Sequence, residues 1–131
     1  MAFSVNVENR ETGVYLLVLD GRLDANTSPT LEQKIDPLLA PGTKTLLLDL
    51  GKLSYISSAG VRVILRARKS MDASHGTFIM TNLQPQIRKV FEIINALPKT
   101  PIFNSIQEAD RYLDVMQREE IEKQRRLSNP K

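Results

Sequence analysis

The sequence predicts an α/β fold, a mixed β-sheet with helices packed over it, and three observations carry that expectation. Two strand-like apolar segments, Phe3–Val7 and Val14–Leu19, flank a polar turn and read as an opening antiparallel hairpin. Beyond them, apolar runs of strand type alternate with segments of helical period, the pattern of helices layered on a sheet. Finally, the stretch from Thr45 to Lys69, TLLLDLGKLSYISSAGVRVILRARK, runs from strand to helix through a pair of serines. In open sheets with helical crossovers, sites gather where such strands end.

Each element has its own local signal. Phe3-Ser-Val-Asn-Val7 alternates with period two, as a half-exposed strand does, and Val14–Leu19 is more continuously apolar. Asp20-Gly21 is expected to end that second strand, leaving Arg22–Thr27 as an exposed, irregular connection. Ser28-Pro29 announces a helix with Ser28 as N-cap, and Leu31, Ile35, Leu38 and Leu39 form its apolar face up to Pro41-Gly42. Leu46-Leu47-Leu48, crossed by Asp49 and bounded by Gly51, reads as a strand buried on both faces. The helix after the serines places Val61, Ile64, Leu65 and Arg68 at helical spacing and runs to about Ser74.

His75-Gly76 makes the next turn and Thr77–Thr81 the next strand. A third helix follows with Ile87, Val90, Phe91 and Ile94 on one face. Pro98 and Pro101 break the chain, and Ile102-Phe103 is long enough for an edge strand only. Asn104 or Ser105 caps a last helix carrying Ile106, Ala109, Leu113 and Met116. The expected organisation is one domain over residues 1–116, with 117–131 a charged extension that continues the helix or is disordered.

Composition narrows the function. At 131 residues with 41% hydrophobic and 5% aromatic content, the chain supports one core built on Leu, Ile and Val. The absence of Cys excludes disulfides and thiolate metal sites. No apolar run is long enough to span a bilayer and the N-terminus has no signal-peptide pattern, so no direct membrane insertion and a cytoplasmic location are expected. Residues 117–131 hold five cations against three carboxylates; of the formal +3, they account for +2 and the body for +1. The basicity belongs mostly to the tail, and with no aromatic-basic interleaving or zinc-finger spacing a nucleic-acid partner is not expected.

The serine pair has two readings at this level. Ser57 or Ser58 serves as an N-cap, satisfying an orphan N–H of the first turn, although Gly60 and Val61 stand where a capping box needs Glu or Gln. Alternatively one serine is a phosphorylation switch. A phosphoserine carries about −1.5 to −2 charges, which a helix N-terminus accommodates. Ala59 and Gly60 are small enough to let a partner's backbone approach.

Other constellations are weaker. Asp24 and Asp49 form a conceivable carboxylate pair, but Asp24 is expected to bond loop backbone and Asp49 to fix the turn into the serine loop. His75, the one histidine, lacks the context of a nucleophilic triad. The six glycines are dispersed and form neither a P-loop nor a dinucleotide fingerprint, so no cofactor is expected. Arg62, Arg66 and Lys69 share one helix face below Ser58, a solvated charged face or a dock for an acidic patch, with Arg62 close enough to pair with a phosphate on Ser58.

With these residues in view, LLLDLGKLSYISSAGVRVILRARK resembles the signature of the STAS family, in its soluble anti-sigma factor antagonist branch. The family pattern is a strand ending in Asp-Leu-Ser, an aromatic or aliphatic pair, Asp-Ser-Ser/Thr/Ala-Gly and an apolar helix. Asp49-Leu50, Tyr55-Ile56, Ser58, Ala59 and Gly60 match it, and Ser57 stands where many members have Asp. The Gly-Arg-Leu-Asp at 21–24 also resembles the family, whose corresponding loop lies beside the phosphorylated serine. The resemblance covers roughly residues 3–116. It implies four helices and a mostly parallel sheet with an antiparallel edge.

The resemblance also implies a non-enzymatic binding module whose phospho-acceptor is Ser58, or failing that Ser57. Its partner surface would comprise Asp24, Thr27, Ile56, Ser57, Ala59, Gly60, Val61, Arg62 and Arg66. The unphosphorylated form would sequester an anti-sigma factor that is also a serine kinase, and a serine phosphatase would reverse the modification. The alternative is a constitutive STAS subunit of a lipid-transport or stress-sensing assembly, without phospho-switching. A small hydrolase or nucleotide-binding domain is the third reading.

Overall fold

Leucines set the architecture. Leu17 and Leu19 lie in register with Leu48 and Val5 of the neighbouring strands, and Leu46, Leu48 and Leu50 continue the same buried face. Burying each such side chain contributes about 1.5–3 kcal/mol. A computed structural model of the chain describes residues 3–96 and 106–128. Its strands are β1 (Ser4–Glu11), β2 (Val14–Leu23), β3 (Thr45–Ile56) and β4 (Thr77–Thr81), in the spatial order β1-β2-β3-β4. β1 and β2 are antiparallel, and the β2/β3 and β3/β4 pairs are parallel. The helices are α1 (Ser28–Ile35), α2 (Ser58–Ala73), α3 (Pro85–Ala96) and α4 (Ile106–Ser128). This is the expected mixed sheet with an antiparallel edge and four helices.

All four helices feed one apolar cluster against the sheet: Leu31 and Ile35 from α1, Ile64 and Met71 from α2, Val90 and Phe91 from α3, Leu113 and Met116 from α4. The opposite sheet face is only half-covered, with Leu16, Val18 and Leu47 partly exposed and Ile79 exposed. The expectation of a strand buried on both faces is thereby corrected. Among the described residues the helices pack on one side, so β3 alternates in burial up to Leu50.

Three further expectations change for local reasons. β2 runs past Asp20-Gly21 to Leu23, which is fully buried, because Gly21 adopts φ 110° and keeps the strand in register with Leu53. β3 likewise passes through Gly51 to Ile56. Extra residues on β3 between Asp49 and Lys52, and again between Leu53 and Tyr55, make two bulges that shift the buried positions to Leu53 and Ile56. Asp49 Oδ1 accepts from the Gly51 N–H at 3.0 Å and from Asn82 Nδ2 at 3.2 Å, so it fixes the first bulge and not the turn into the serines. In α1, Ser28 is the first helical residue and Thr27 the N-cap, without a side-chain cap bond. The helix tightens into a 3-10 turn over Asp36–Leu39, where Pro37 has no N–H to continue the α pattern.

β4 pairs with β3 only as far as Asp49, leaving the edge of β3 beyond it without a strand partner. Three glutamines satisfy that edge, as an exposed edge requires. Gln84 Nε2 donates to the Gly51 carbonyl at 3.0 Å and Gln86 Nε2 to the Ser54 carbonyl at 3.1 Å. Gln117 takes both polar groups of Ile56. α4 therefore continues unbroken through Gln117, which is 1% exposed, and Glu120, Ile121 and Gln124 remain half-buried beyond it. The expected edge strand at Ile102-Phe103 and the cap at Asn104 or Ser105 lie outside the described residues.

Candidate functional site at the start of helix α2

The serine pair sits where β3 ends and α2 begins. Ser57 is the N-cap, in extended backbone conformation, and its Oγ accepts from the Gly60 N–H at 3.4 Å. Its own N–H donates to the Leu23 carbonyl at 2.9 Å, binding the ends of β2 and β3 together, and the residue is 4% exposed. Ser58 is half-buried, with its side chain turned the other way. Its Oγ donates to Asp110 Oδ1 of α4 at 2.5 Å, and its N–H donates to the same oxygen at 2.9 Å. No acidic residue occupies the first turn of α2 itself. Asp110 supplies from α4 the negative charge that a helix N-terminus favours.

Gly60 is buried because α2 enters at close range. A Cβ there would lie 2.7 Å from Leu23 Cγ and 3.0 Å from Ile56 Cγ1. The small residue thus serves an internal contact. Ile56, Ser57, Gly60 and Val61 are all buried in the isolated chain, Ala59 and Ser58 are half-buried, and Arg62 and Arg66 are exposed. The expected partner residues accordingly form a thin exposed strip over a buried base.

On one side of Ser58 the surface is basic. A shallow groove of about 460 Å³ runs down α2 past Val61, Arg62, Leu65, Arg66 and Lys69. Arg66 is held by Glu32 at 2.5 Å and Asp36 at 3.8 Å. Arg62 makes no salt bridge among the described residues and stands one turn after Ser58, within reach of a substituent on its hydroxyl.

On the other side the surface is acidic. Asp24 Oδ1 accepts from the Asn26 and Thr27 N–H groups, and Thr27 Oγ1 donates to the Arg22 carbonyl at 2.7 Å, so this loop is closed on itself. The Arg22 guanidinium lies 4.0 Å from the centre of the Tyr55 ring. Burial pushes the Tyr55 phenol above its usual pKa, and Asp114, Asp110 and Asp24 push it further while Arg22 opposes them. Loop, strand end and α4 therefore converge on one acidic shoulder beside Ser58.

Tyr55, Asp110, Asp114 and Gln117 were not singled out as site residues from the sequence. The last three lie at i, i+4 and i+7, a polar stripe along α4 interleaved with Ala109, Leu113 and Met116. That stripe was the available signal. A concavity of about 770 Å³ between Lys89 and the later turns of α4 is lined by none of these four residues. Among the described residues no cluster of His, Asp and Glu has the arrangement of a metal site, and no helix is long and apolar enough to cross a membrane.

The fold and the strand–serine–helix junction define a STAS domain. The chain belongs to the STAS family, whose domain model matches residues 6–109. It is 35% identical over 97 residues to BtrV of Bordetella bronchiseptica, whose name assigns it provisionally to the anti-sigma factor antagonists; the match spans 74% of this chain and 84% of BtrV. It is 33% identical over 93 residues to the anti-sigma F factor antagonist of Lysinibacillus sphaericus, spanning 70% and 78% of the two chains. Among solved structures it is similar to the anti-sigma factor antagonist SpoIIAA in unphosphorylated form, with TM-score 0.64 at 26% identity over 70% of this chain and 81% of that one. The Bacillus SpoIIAA in phosphorylated form gives TM-score 0.61 at the same identity, over 70% and 83%.

Proposed function

We propose that this chain is an anti-sigma factor antagonist, a binding protein switched by phosphorylation of Ser58. In the unphosphorylated form it sequesters an anti-sigma factor that is also a serine kinase. The sigma factor is thereby released, and a serine phosphatase restores the binding form after modification. The observation that carries the reading is the unequal exposure of the two serines. Ser57 is buried and occupied as the N-cap, whereas Ser58 is half-exposed at the lip of a basic groove, one turn before Arg62. The relatives named as anti-sigma factor antagonists, and a structural neighbour known in both phosphorylation states, support it.

The physical basis is desolvation. A dianion on Ser58 would be buried in an interface formed around a neutral hydroxyl, and leaving a charge unpaired there costs several kcal/mol. At about 4 kcal/mol this weakens binding roughly a thousand-fold. The partner-facing surface in this reading is the strip from Asp24 and Thr27 through Ser58 and Ala59 to Arg62 and Arg66, stiffened from beneath by Ile56, Ser57, Gly60 and Val61. The binding domain takes in Gln117, whose amide holds Ile56, and the charged turns of α4 beyond it are an extension of it. Peptide mapping of the protein isolated from its own cells tests the modification. Phosphate on Ser58 is expected, phosphate on Ser57 instead would move the switch by one residue, and none under growth and stress alike would overturn it.

A further inference from the structure

We propose that Asp110 makes helix α4 the moving part of the switch: a phosphate on Ser58 expels the Asp110 carboxylate from the start of α2 and loosens the first turns of α4. The proposal rests on the reading of Ser58 as the phosphorylated residue. Two bonds from Ser58, one from Oγ and one from the backbone N–H, converge on a single oxygen of Asp110 and form a polar link between the beginnings of α2 and α4. Phosphoryl transfer from a nucleoside triphosphate forms an Oγ–P bond and breaks the bond from the γ-phosphorus to the β,γ-bridging oxygen. The nucleoside diphosphate leaves and the hydroxyl proton passes to the surroundings. The donor that held Asp110 is then gone, and a dianion stands in its place beside a carboxylate.

The two anions also compete for one position. Asp110 accepts the Ser58 N–H at the positive end of α2, which is where a phosphate on the same residue finds its nearest backbone donor. The phosphate is covalently held and carries the larger charge, so Asp110 is the group that leaves. Asp114, one turn further along α4 on the same polar stripe, is paired with Arg118 at 2.7 Å, so among the described residues the unpaired negative charge nearest Ser58 is that of Asp110. Arg62 on α2 offers the compensating cation away from α4.

The displacement has a natural limit. Leu113 and Met116 are buried, and Gln117 is bonded to both polar groups of Ile56, so the helix stays anchored from Leu113 onward. Residues 107–112 before it are half-buried or exposed. Beneath them is an apolar cleft of about 200 Å³ between Ser58, Val61, Ile93, Ile94 and Leu113, over which Ala109 and Tyr112 form the α4 wall. Phosphorylation would therefore reshape the surface beside Ser58 as well as charge it.

Amide hydrogen exchange on the full chain carrying phosphoserine at position 58, introduced during translation, tests this without requiring the kinase. Exchange over residues 108–112 is expected to be about tenfold faster or more than in the unphosphorylated protein, with β3 unchanged. In the Asp110→Asn protein, whose amide donates to phosphate, phosphorylation should change the same amides by less than about twofold. Equal protection of α4 in both forms of the natural sequence would overturn the proposal. Equal loosening in phosphorylated Asp110→Asn would also overturn it, by assigning the release to bulk alone. Unchanged affinity for the anti-sigma factor together with a loosened α4 would overturn the proposed function and leave the Asp110 latch standing.

Discussion

Gln117 grips both backbone polar groups of Ile56. Its Oε1 accepts the Ile56 N–H at 3.0 Å and its Nε2 donates to the Ile56 carbonyl at 2.7 Å, so one side chain acts as a missing neighbouring strand. This pairing fixes α4 to the last residue of β3, immediately before the serines. Everything that α4 presents to Ser58, Asp110 above all, is positioned by it.

Removing that grip exposes the cost of an unpaired edge. Gln117→Ala leaves the buried Ile56 N–H and carbonyl unsatisfied and should destabilise the protein by about 1–3 kcal/mol. Urea unfolding checks this as a lower midpoint with an unchanged slope. A midpoint equal to that of the natural sequence would mean that water or another side chain replaces the amide.

Gly60 predicts the opposite kind of damage, overpacking. A Cβ at this position meets Leu23 Cγ at 2.7 Å and Cδ2 at 2.9 Å, so Gly60→Ala must push α2 away from β2 or force Leu23 off its rotamer. A loss of about 1–3 kcal/mol is expected despite the better helix propensity of alanine, which favours the variant by roughly 1 kcal/mol. An Ala variant as stable as the parent in urea would contradict the close approach.

Tyr55 reports on the acidic shoulder. With burial the largest cause and Asp114 and Asp110 next, its phenol should titrate above its usual value of 10.0. Asp114→Asn and Asp110→Asn should each lower it, as followed by ring-carbon NMR. Because the folded state holds the phenolic proton more tightly than the unfolded state, the associated stability is complete below the unfolded pKa. It is lost as pH rises from there through the folded pKa. A Tyr55 titration unaffected by either substitution would place those carboxylates elsewhere.

What was legible in the sequence was local. The i, i+3, i+4 pattern around Val61, Ile64 and Leu65 records which face of α2 meets the core. The period-two run at Phe3–Val7 marks a strand, but β1 continues to Glu11 through residues that read as a turn, and only Val5 of it is buried. What escaped depended on contacts between distant segments. Gly51 looks like a strand terminator because its bulge is held by Asn82, 31 positions away, through Asp49. Likewise, nothing near Asp110 in the chain reveals that its carboxylate meets Ser58. At the serine pair the residue types left capping and modification open together, and the fold divides the hydroxyls: Ser57 caps, and Ser58 faces α4 and the groove.

The most direct test of the account is the affinity of this protein for the anti-sigma factor of its own cell, measured by calorimetry for the unphosphorylated and the Ser58-phosphorylated forms. Tight binding of the first and a loss of roughly a thousand-fold in the second is the predicted result, with Ser58→Ala binding like the unphosphorylated form. Equal affinity of the two forms would contradict the switch.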